Sequence, residues 1–295
     1  MNHTVITATC PTWSPGYDKL AYADRGRIYI YNVERDINII IETDFLRLSS
    51  LVWSSKGHSL IFAAQRDRDQ GGLDIWQLDL TTNDFQPLVK CAFPFPSIDS
   101  CDSPIWLSDA QLSYVRHMDG QATIEVFDLT SRNTEVIADK LQILSAVAPF
   151  GIDSSPNTGI LSSLAWSPDE ARIAFVGGKG MFPNGASIYL FESTTGDVYE
   201  ITSSEVWADS PVWLDDTYLV FRSREWAKGA ELNYAHERNI YEAQNLSIVN
   251  VDNKKTVKLT KITAPSSSFI SCPFLISQSV CSQIVTTQTL LQPGL

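Results

Sequence analysis

Basic residues are scarce in this chain of 295 residues: 22 lysines and arginines stand against 34 aspartates and glutamates, which gives a formal net charge of −12. Such a balance repels phosphate backbones, and no local run of basic residues reverses it. No apolar stretch approaches the roughly 20 residues that a transmembrane helix needs. We therefore expect no nucleic-acid partner and no insertion into a membrane.

Histidine and cysteine are also sparse, at four and five residues. The cysteines show no CxxC spacing for zinc, and Cys91 and Cys101 lie ten positions apart. An odd number of cysteines without a framework pattern favours free thiols in a reducing compartment. The first residues, MNHTVITATCPTW, have neither a basic n-region nor an apolar h-region. The sequence thus predicts a cytoplasmic protein with free structural thiols.

One line of sequence recurs five times: a tryptophan is followed by a turn and, eight or nine residues later, by an aromatic residue in an apolar run. The copies are CPTWSPGYDKLAYAD (10–24), SLVWSSKGHSLIFAA (50–64), SPIWLSDAQLSYVR (103–116), SLAWSPDEARIAFVG (163–177) and SPVWLDDTYLVFRS (210–223). Their tryptophans are Trp13, Trp53, Trp106, Trp166 and Trp213, and their aromatic residues are Tyr22, Phe62, Tyr114, Phe175 and Phe221.

Two more apolar segments follow each copy, for example ASIYLFES (186–193) and DVYEIT (197–202), with a polar turn between them. Four short strands joined by tight turns form one antiparallel sheet. Such a sheet cannot bury two apolar faces alone, but radially arranged sheets cover one another. We predict an all-β fold, a β-propeller of four-stranded antiparallel blades, with residues 1–295 as a single domain. Each repeat tryptophan is expected to fill the wedge against the next blade.

The number of blades depends on the two ends of the chain. SCPFLISQSVCSQIV (271–285) keeps part of the repeat, with Leu275 in place of the tryptophan, and HTVITAT (3–9) has the pattern of a strand without a partner in its own unit. We expect six blades, the sixth closed by pairing of 3–9 with 270–291. The alternatives are a five-bladed ring with a C-terminal appendage and a truncated product.

The repeat resembles that of TolB-like β-propellers, a WD40-like line whose hallmark is W-S-P-D-G-x-x-I-A-F followed by an I-Y-x-x-D strand. WSPDEARIAF (166–175) with SIYLFES (187–193) matches it most closely, and the resemblance covers about residues 10–260. It implies a propeller, commonly of six blades, that serves as a platform for protein interactions.

The predicted connections differ in length in a systematic way. First-to-second and third-to-fourth turns are short, whereas the other two classes carry insertions such as REWAKGAELNYAHERNIYEAQ (224–244). Those two classes leave an up-and-down sheet at the same edge, so we expect one loop-rich face, where binding residues tend to lie. Its arginine, aromatic and neighbouring polar residues suggest an interface. The partner-binding candidates are Arg66, Arg68, Lys179, Phe182, Arg224, Trp226, Tyr234 and His236. The alternative is that these side chains only pack their own loops.

Catalytic and metal-binding patterns are missing from the sequence. No G-x-S-x-G or phosphate-loop line occurs. DRDQGGLD (67–74) begins like a calcium loop, but Leu78 stands where its last acidic ligand belongs. His58 is predicted on the face opposite His117 and His236, which argues against a three-histidine centre. We predict a non-catalytic protein without a cofactor that binds a protein or peptide. The alternative is a hydrolase or lyase of a carbohydrate or lactone, with a divalent cation in the central channel.

Overall fold

Each of the five repeats folds into four antiparallel strands that pair in chain order from the first to the fourth. This computed structural model describes residues 11–24, 26–94, 99–118, 121–138, 160–178, 186–202, 206–226 and 241–260. Within those ranges, twenty strands form five four-stranded sheets, here called blades 1 to 5.

The strands of blade 1 are β1 (Thr12–Trp13), β2 (Lys19–Asp24), β3 (Arg27–Asn32) and β4 (Ile37–Glu42), and those of blade 2 are β5 (Arg47–Trp53), β6 (Ser59–Gln65), β7 (Asp74–Asp79) and β8 (Phe85–Val89). Blade 3 has β9 (Ser100–Ser108), β10 (Gln111–Met118), β11 (Gln121–Asp128) and β12 (Thr134–Ala138). Blade 4 has β13 (Ile160–Trp166), β14 (Arg172–Gly178), β15 (Ser187–Glu192) and β16 (Val198–Glu200). Blade 5 has β17 (Val206–Trp213), β18 (Tyr218–Trp226), β19 (Tyr241–Asn250) and β20 (Thr256–Lys258).

The turn between the third and fourth strands follows one design. In blade 2, Asp79 Oδ1 accepts the backbone N–H of Thr81 at 2.7 Å, and Asn83, four residues after the aspartate, has a positive φ of 62°. Blade 3 repeats this arrangement with Asp128, which accepts two N–H groups of its turn, and Arg132, whose φ is 61°. These short polar turns bond their own backbone and so close the hairpins without longer loops.

The turn after the repeat tryptophan explains why glycine belongs in the W-S-P-D-G line. The fourth residue after the tryptophan has a positive φ in three blades, at Tyr17 (56°), Gly57 (69°) and Glu170 (58°). In each case its N–H donates at 2.9 Å to the carbonyl of the serine that follows the tryptophan. Glycine adopts this conformation freely, whereas Tyr17 and Glu170 occupy it at a cost of roughly 1–2 kcal/mol each.

Four hydrophobic clusters hold the blades together, and each lies between two consecutive blades. Between blades 1 and 2, for example, Phe62 and Trp76 pack with Ala21 and Ile28. In blades 2 to 5 the repeat aromatic residue is at most 1% exposed: Phe62, Tyr114, Phe175 and Phe221. The spacing of the repeat therefore encodes the contact between blades.

The repeat tryptophan faces the preceding blade, so the expectation that it packs against the next one is wrong in direction. The indole N–H of Trp53 in blade 2 donates to the carbonyl of Thr12 in blade 1 at 3.0 Å. The indole N–H of Trp213 in blade 5 likewise donates to Ala165 in blade 4 at 2.9 Å. The reason is register: Trp53 lies opposite Leu60, on the same sheet face as Phe62, and that face packs on blade 1.

The first strands of all five blades line a single cavity, so the sheets are arranged radially. The prediction of an all-β propeller with four-stranded antiparallel blades is confirmed, with five blades in the described ranges. The sixth blade expected at 271–285 and its closing strand at 3–9 lie outside the described residues. The assignment of 1–295 to a single domain stays a prediction.

Candidate binding face and central channel

The long connections all begin and end on one face of the disc, here called the loop-rich face. Every connection of more than five residues follows the second or the fourth strand of a blade: 66–73, 90–99, 139–159, 179–186 and 227–240. The connections on the opposite face, here called the turn face, have five residues or fewer. The predicted one-sided distribution of insertions agrees with the strand bounds.

A buried carboxylate anchors the described part of the loop-rich face. Asp74, which is 4% exposed, accepts the N–H groups of Cys91 at 2.7 Å and Ala92 at 2.8 Å through Oδ1. Its Oδ2 accepts the Nε2 group of Gln70 at 3.3 Å. Both oxygens are therefore engaged by N–H donors, and the calcium interpretation of 67–74 does not fit this carboxylate.

Glycine is required where the connections 66–73 and 90–99 meet. A Cβ atom on Gly72 would lie 2.0 Å from the carbonyl oxygen of Asp99, so no other residue fits without displacement of the backbone. Gln70 forms a β-bridge with Pro94, and Gly71 donates to the carbonyl of Phe93 at 3.0 Å. Residues 70–72 are thus tied to residues 93–94 and lie against Asp99, and these described residues are here called the platform.

A disulfide joins Cys91 to Cys101 under this platform, with a Cα–Cα distance of 5.6 Å. Both residues are fully buried, in the cluster between blades 2 and 3. The prediction that these two cysteines are free thiols is wrong. Sequence spacing alone could not show the bond, because the packing of blades 2 and 3 brings the two cysteines together.

Arg66 and Arg68 lie on the loop-rich face in different settings. Arg66 forms an ion pair with Asp44 at 2.6 Å, and its guanidinium lies 5.3 Å from the ring centre of Trp76 and 5.9 Å from that of Phe45. Its side chain therefore contacts the connection 43–46 and β7, and its role in partner binding stays a prediction. Arg68 is exposed on the same connection.

The other candidates are only partly described. Arg224 and Trp226 belong to the last three residues of β18, which lead to the loop-rich face, and Arg224 pairs with Trp207 of β17. Lys179, Phe182, Tyr234 and His236 lie outside the described residues. The structure therefore places Arg66, Arg68 and exposed Phe93 on connections of the same face, and leaves the binding role of all eight candidates as a prediction.

Two first strands carry an aspartate with a basic partner on the second strand. In blade 3, Asp102 Oδ2 lies 3.2 Å from His117 Nε2, and in blade 5, Asp209 Oδ1 accepts Arg222 Nε at 2.6 Å. Each aspartate directly precedes a serine that lines the channel. His58 lies in a hairpin turn on the turn face, as predicted.

The central channel holds a cavity of about 360 Å³ around the middle of the first strands. Its lining is Pro11, Thr12, Ser49, Ser50, Leu51, Val52, Ser103, Pro104, Ile105, Ser163, Leu164, Ser210 and Pro211. These side chains are hydroxyls, prolines and aliphatic groups, without a carboxylate or an imidazole. Across the described ranges, no three His, Cys, Asp or Glu side chains gather to hold a metal ion. The described lining residues therefore offer none of the carboxylate or imidazole ligands that a divalent cation prefers.

A serine with left-handed backbone recurs around the channel, three residues before the repeat tryptophan. The serines are Ser50 (φ 55°), Ser103 (50°), Ser163 (56°) and Ser210 (55°). In each blade, this serine and the residue after it lie opposite a single residue of the second strand. That single residue is the buried aromatic residue of the repeat. This is a β-bulge, and each left-handed serine costs about 1–3 kcal/mol.

One bulge also links two neighbouring blades. The N–H of Ser163 in blade 4 donates to Ser103 Oγ in blade 3 at 3.0 Å, a bond between neighbouring blades beside the channel. These serines were not predicted, although the sequence contains a signal for them: serine stands three places before the tryptophan in four of the five aligned copies.

The largest described pKa shift lies inside blade 3 and away from the channel lining. Burial, and then the carboxylate of Glu125, raise the pKa of Tyr114 far above its ordinary value. The phenol donates to Glu125 Oε2 at 2.5 Å, and Thr123 donates to Oε1 at 3.2 Å. This network lies within blade 3, and none of its three residues lines the channel.

The comparisons with known proteins agree with this architecture. No protein-family model matches the chain. No curated protein matches it either. Among solved structures, TolB from Agrobacterium tumefaciens is similar with a TM-score of 0.63 at 17% identity, over 88% of this chain and 83% of that one. TolB from Acinetobacter baumannii has a TM-score of 0.58 at 16% identity, over 85% of this chain and 53% of that one.

Enzymes share the same architecture. An oligogalacturonate lyase in complex with manganese is similar with a TM-score of 0.53 at 12% identity, over 88% of this chain and 66% of that one. The chain thus spans about half of the Acinetobacter protein and two thirds of the lyase. At these identities the likeness shows the fold, so the chain has a TolB-like β-propeller fold. The WD40-like character of the repeat stays a prediction. Across the described ranges, no helix has the length and apolar character to span a membrane.

Proposed function

We propose that this chain is a non-catalytic propeller that binds a protein or peptide partner through its loop-rich face. The observation that carries the proposal is the one-sided placement of the long connections, because rigid scaffolds present binding residues on such loops. The connections of the turn face have five residues or fewer, so they offer less loop surface to a partner.

The described part of the loop-rich face supports this proposal. Phe93 is 45% exposed on the platform, which is tied by Asp74, Gly72 and the disulfide, and Arg68, which precedes the platform by two residues, is exposed. An exposed aromatic ring and an arginine on a rigid base are typical of interface centres, because little conformational entropy is lost when a partner binds.

An enzyme of carbohydrates or lactones is the second candidate, and one observation favours it: an oligogalacturonate lyase in complex with manganese is a structural neighbour. The described channel lining does not provide the ligands that a divalent cation prefers. Metal analysis of purified protein separates the two candidates, since a stoichiometric divalent ion would favour the enzyme.

The disulfide indicates the kind of compartment in which the chain would bind a partner. Disulfides persist in oxidising compartments and are rare in the cytosol. The Cys91–Cys101 bond therefore favours an oxidising location over the cytoplasmic one predicted from the sequence. Thiol alkylation during cell lysis, followed by peptide mass analysis of 91–101, would show the state of the bond in the cell.

Panning of a displayed random-peptide library on the immobilised chain tests the proposed function. Selected peptides should bind the double variant Arg68→Glu, Trp226→Ala at least tenfold more weakly than the wild type. The matched control is Lys255→Glu, which changes charge on the turn face and should leave binding within twofold. Failure to select any peptide, or equal losses in both variants, would contradict the proposal.

A further inference from the structure

The outer strand of blade 1, β4, exposes a row of isoleucines at the rim of the disc. Ile37, Ile39 and Ile40 are 50%, 52% and 53% exposed. All six residues of β4 pair with β3 in an unbroken register, and among the described strands β4 has no second neighbour. Every second residue of β4 therefore presents its backbone N–H and C=O groups to a free edge.

The outer strands of the other four blades differ from β4. Proteins protect free sheet edges by keeping them short or by placing proline or charge on them. Accordingly, β8 carries Pro87, β12 carries Glu135 beside exposed Val136, β16 and β20 have only three residues, and β20 ends in Lys258. Between Ile37 and Ile41, β4 has none of these devices.

The sequence of β4 is complementary to itself. Side chains alternate along a strand, so Ile37, Ile39 and Ile41 share one face and Asn38 and Ile40 share the other. A two-fold axis through Ile39 and perpendicular to the sheet would place Ile39 against Ile39 of the second copy. It would also place Ile37 against Ile41 of the second copy, on the same face. From this geometry we propose that two copies of the chain associate through antiparallel pairing of their β4 strands.

Charge does not oppose this register strongly. Residues 37–41 carry no charge. The one like-charged pair that the register creates is Asp36 with Glu42 of the second copy. Each of these carboxylates already has a partner in its own chain, since Asp36 accepts from Tyr31 Oη at 2.8 Å and Glu42 accepts from Arg27 at 2.9 Å. Because the copies repel through their net charge of −12, added salt strengthens the association.

The size of the contact sets the affinity. A stable interface buries about 800 Å² on each partner, and one six-residue edge provides roughly half of that. The association is therefore weak, with a Kd on the order of tens to hundreds of micromolar. It does not depend on the proposed function, because β4 lies at the rim, away from the loop-rich face.

Sedimentation analysis of the full chain, from about 1 to about 300 µM, tests the proposal. The mass of the wild type should rise toward that of a dimer with concentration and with salt, whereas Ile39→Lys should stay monomeric. The matched control is Val136→Lys on β12, an outer-strand valine that is 54% exposed, and this variant should associate like the wild type. A monomeric wild type throughout, or an unchanged Ile39→Lys, would overturn the proposal.

Oxidative cross-linking tests the register and does not require the lysine variant to fold. Ile39→Cys faces itself across the two-fold axis at about 4.5–5.5 Å between Cβ atoms, so it should form a covalent dimer. Ile37→Cys and Ile41→Cys should cross-link only when mixed, and the unchanged chain serves as the background for its native cysteines. Efficient cross-linking of Ile37→Cys alone would overturn the proposed axis.

Discussion

Replacing Tyr114 with phenylalanine should lower the free energy of unfolding by about 1.5–3 kcal/mol, the usual value of a buried hydrogen bond to a charged group. The phenol is fully buried and donates to Glu125, which is 6% exposed. Phenylalanine fits this place, because Phe62 and Phe175 stand at the same position of the repeat. The lost stability therefore measures the hydrogen bond between the hydroxyl and the Glu125 carboxylate, and it does not come from a packing defect.

Urea unfolding followed by tryptophan fluorescence measures the effect. A double-mutant cycle of Tyr114→Phe with Glu125→Gln isolates the pair, since the combined variant should lose less than the sum of the single losses. Tyr218→Phe is the control: Tyr218 is 40% exposed, and its change should stay within about 0.5 kcal/mol. A loss of less than about 0.5 kcal/mol in Tyr114→Phe would refute the reasoning.

The same pair predicts a dependence on alkaline pH. The pKa of Tyr114 is raised in the folded chain, first by burial and then by Glu125. The stability that the neutral phenol contributes is present below the unfolded pKa, near 10, and is lost as the pH rises from there toward the folded pKa. Tyr114→Phe should therefore lose less stability above pH 10 than the wild type. Tyr189, whose pKa burial and Glu200 raise to about 12, contributes the same background loss to both proteins.

Three further predictions follow from the turns and the disulfide. The double replacement Cys91→Ser, Cys101→Ser should lower the free energy of unfolding by about 2–3 kcal/mol, because the unfolded chain gains loop entropy. A melting temperature that changes neither in this variant nor when a reductant is added to the wild type would contradict this. Glu170→Gly should stabilise the chain by up to about 1 kcal/mol in thermal melts, and Gly57→Ala should destabilise it by about as much; the opposite order would rule out the left-handed turn. The pKa of Asp128 is lowered, chiefly by backbone N–H groups of its turn. The stability that its carboxylate contributes is therefore present above about pH 4 and is lost as the pH falls through the lowered pKa. In acid titrations, Asp128→Asn should lose less stability over that range than the wild type.

The blade architecture was predictable because the repeat encodes contacts that every blade must make. A tryptophan at the end of the first strand and an aromatic residue eight or nine positions later fall on one face of the sheet, where the preceding blade covers them. The acidic turns were predictable for a similar reason, since Asp79 and Asp128 bond the backbone of their own hairpins. Local chemistry and fixed spacing are both written in the sequence.

Other features required the fold itself. The bond between Cys91 and Cys101 depends on where the link leaves β8 and enters β9, which no spacing rule contains. The bulge at Ser50 depends on two residues sharing one partner across the ladder, so a count of strand residues does not show it. Arg66 was predicted to contact a partner, and its ion pair with Asp44 and its contacts with the rings of Phe45 and Trp76 are not evident from the sequence.

The bonds from Trp53 to Thr12 and from Trp213 to Ala165 both point backward along the chain. A ribosome releases the amino-terminal blades first, so Trp53 and Trp213 each meet a carbonyl that has already left the exit tunnel. The molecule can therefore grow blade by blade as it is translated, with each finished sheet acting as the template for the next. A circular permutant that begins with blade 2 would release Trp53 before the Thr12 carbonyl that accepts its N–H, so it should refold from urea as stably as the parent chain but give a lower yield of native protein during synthesis.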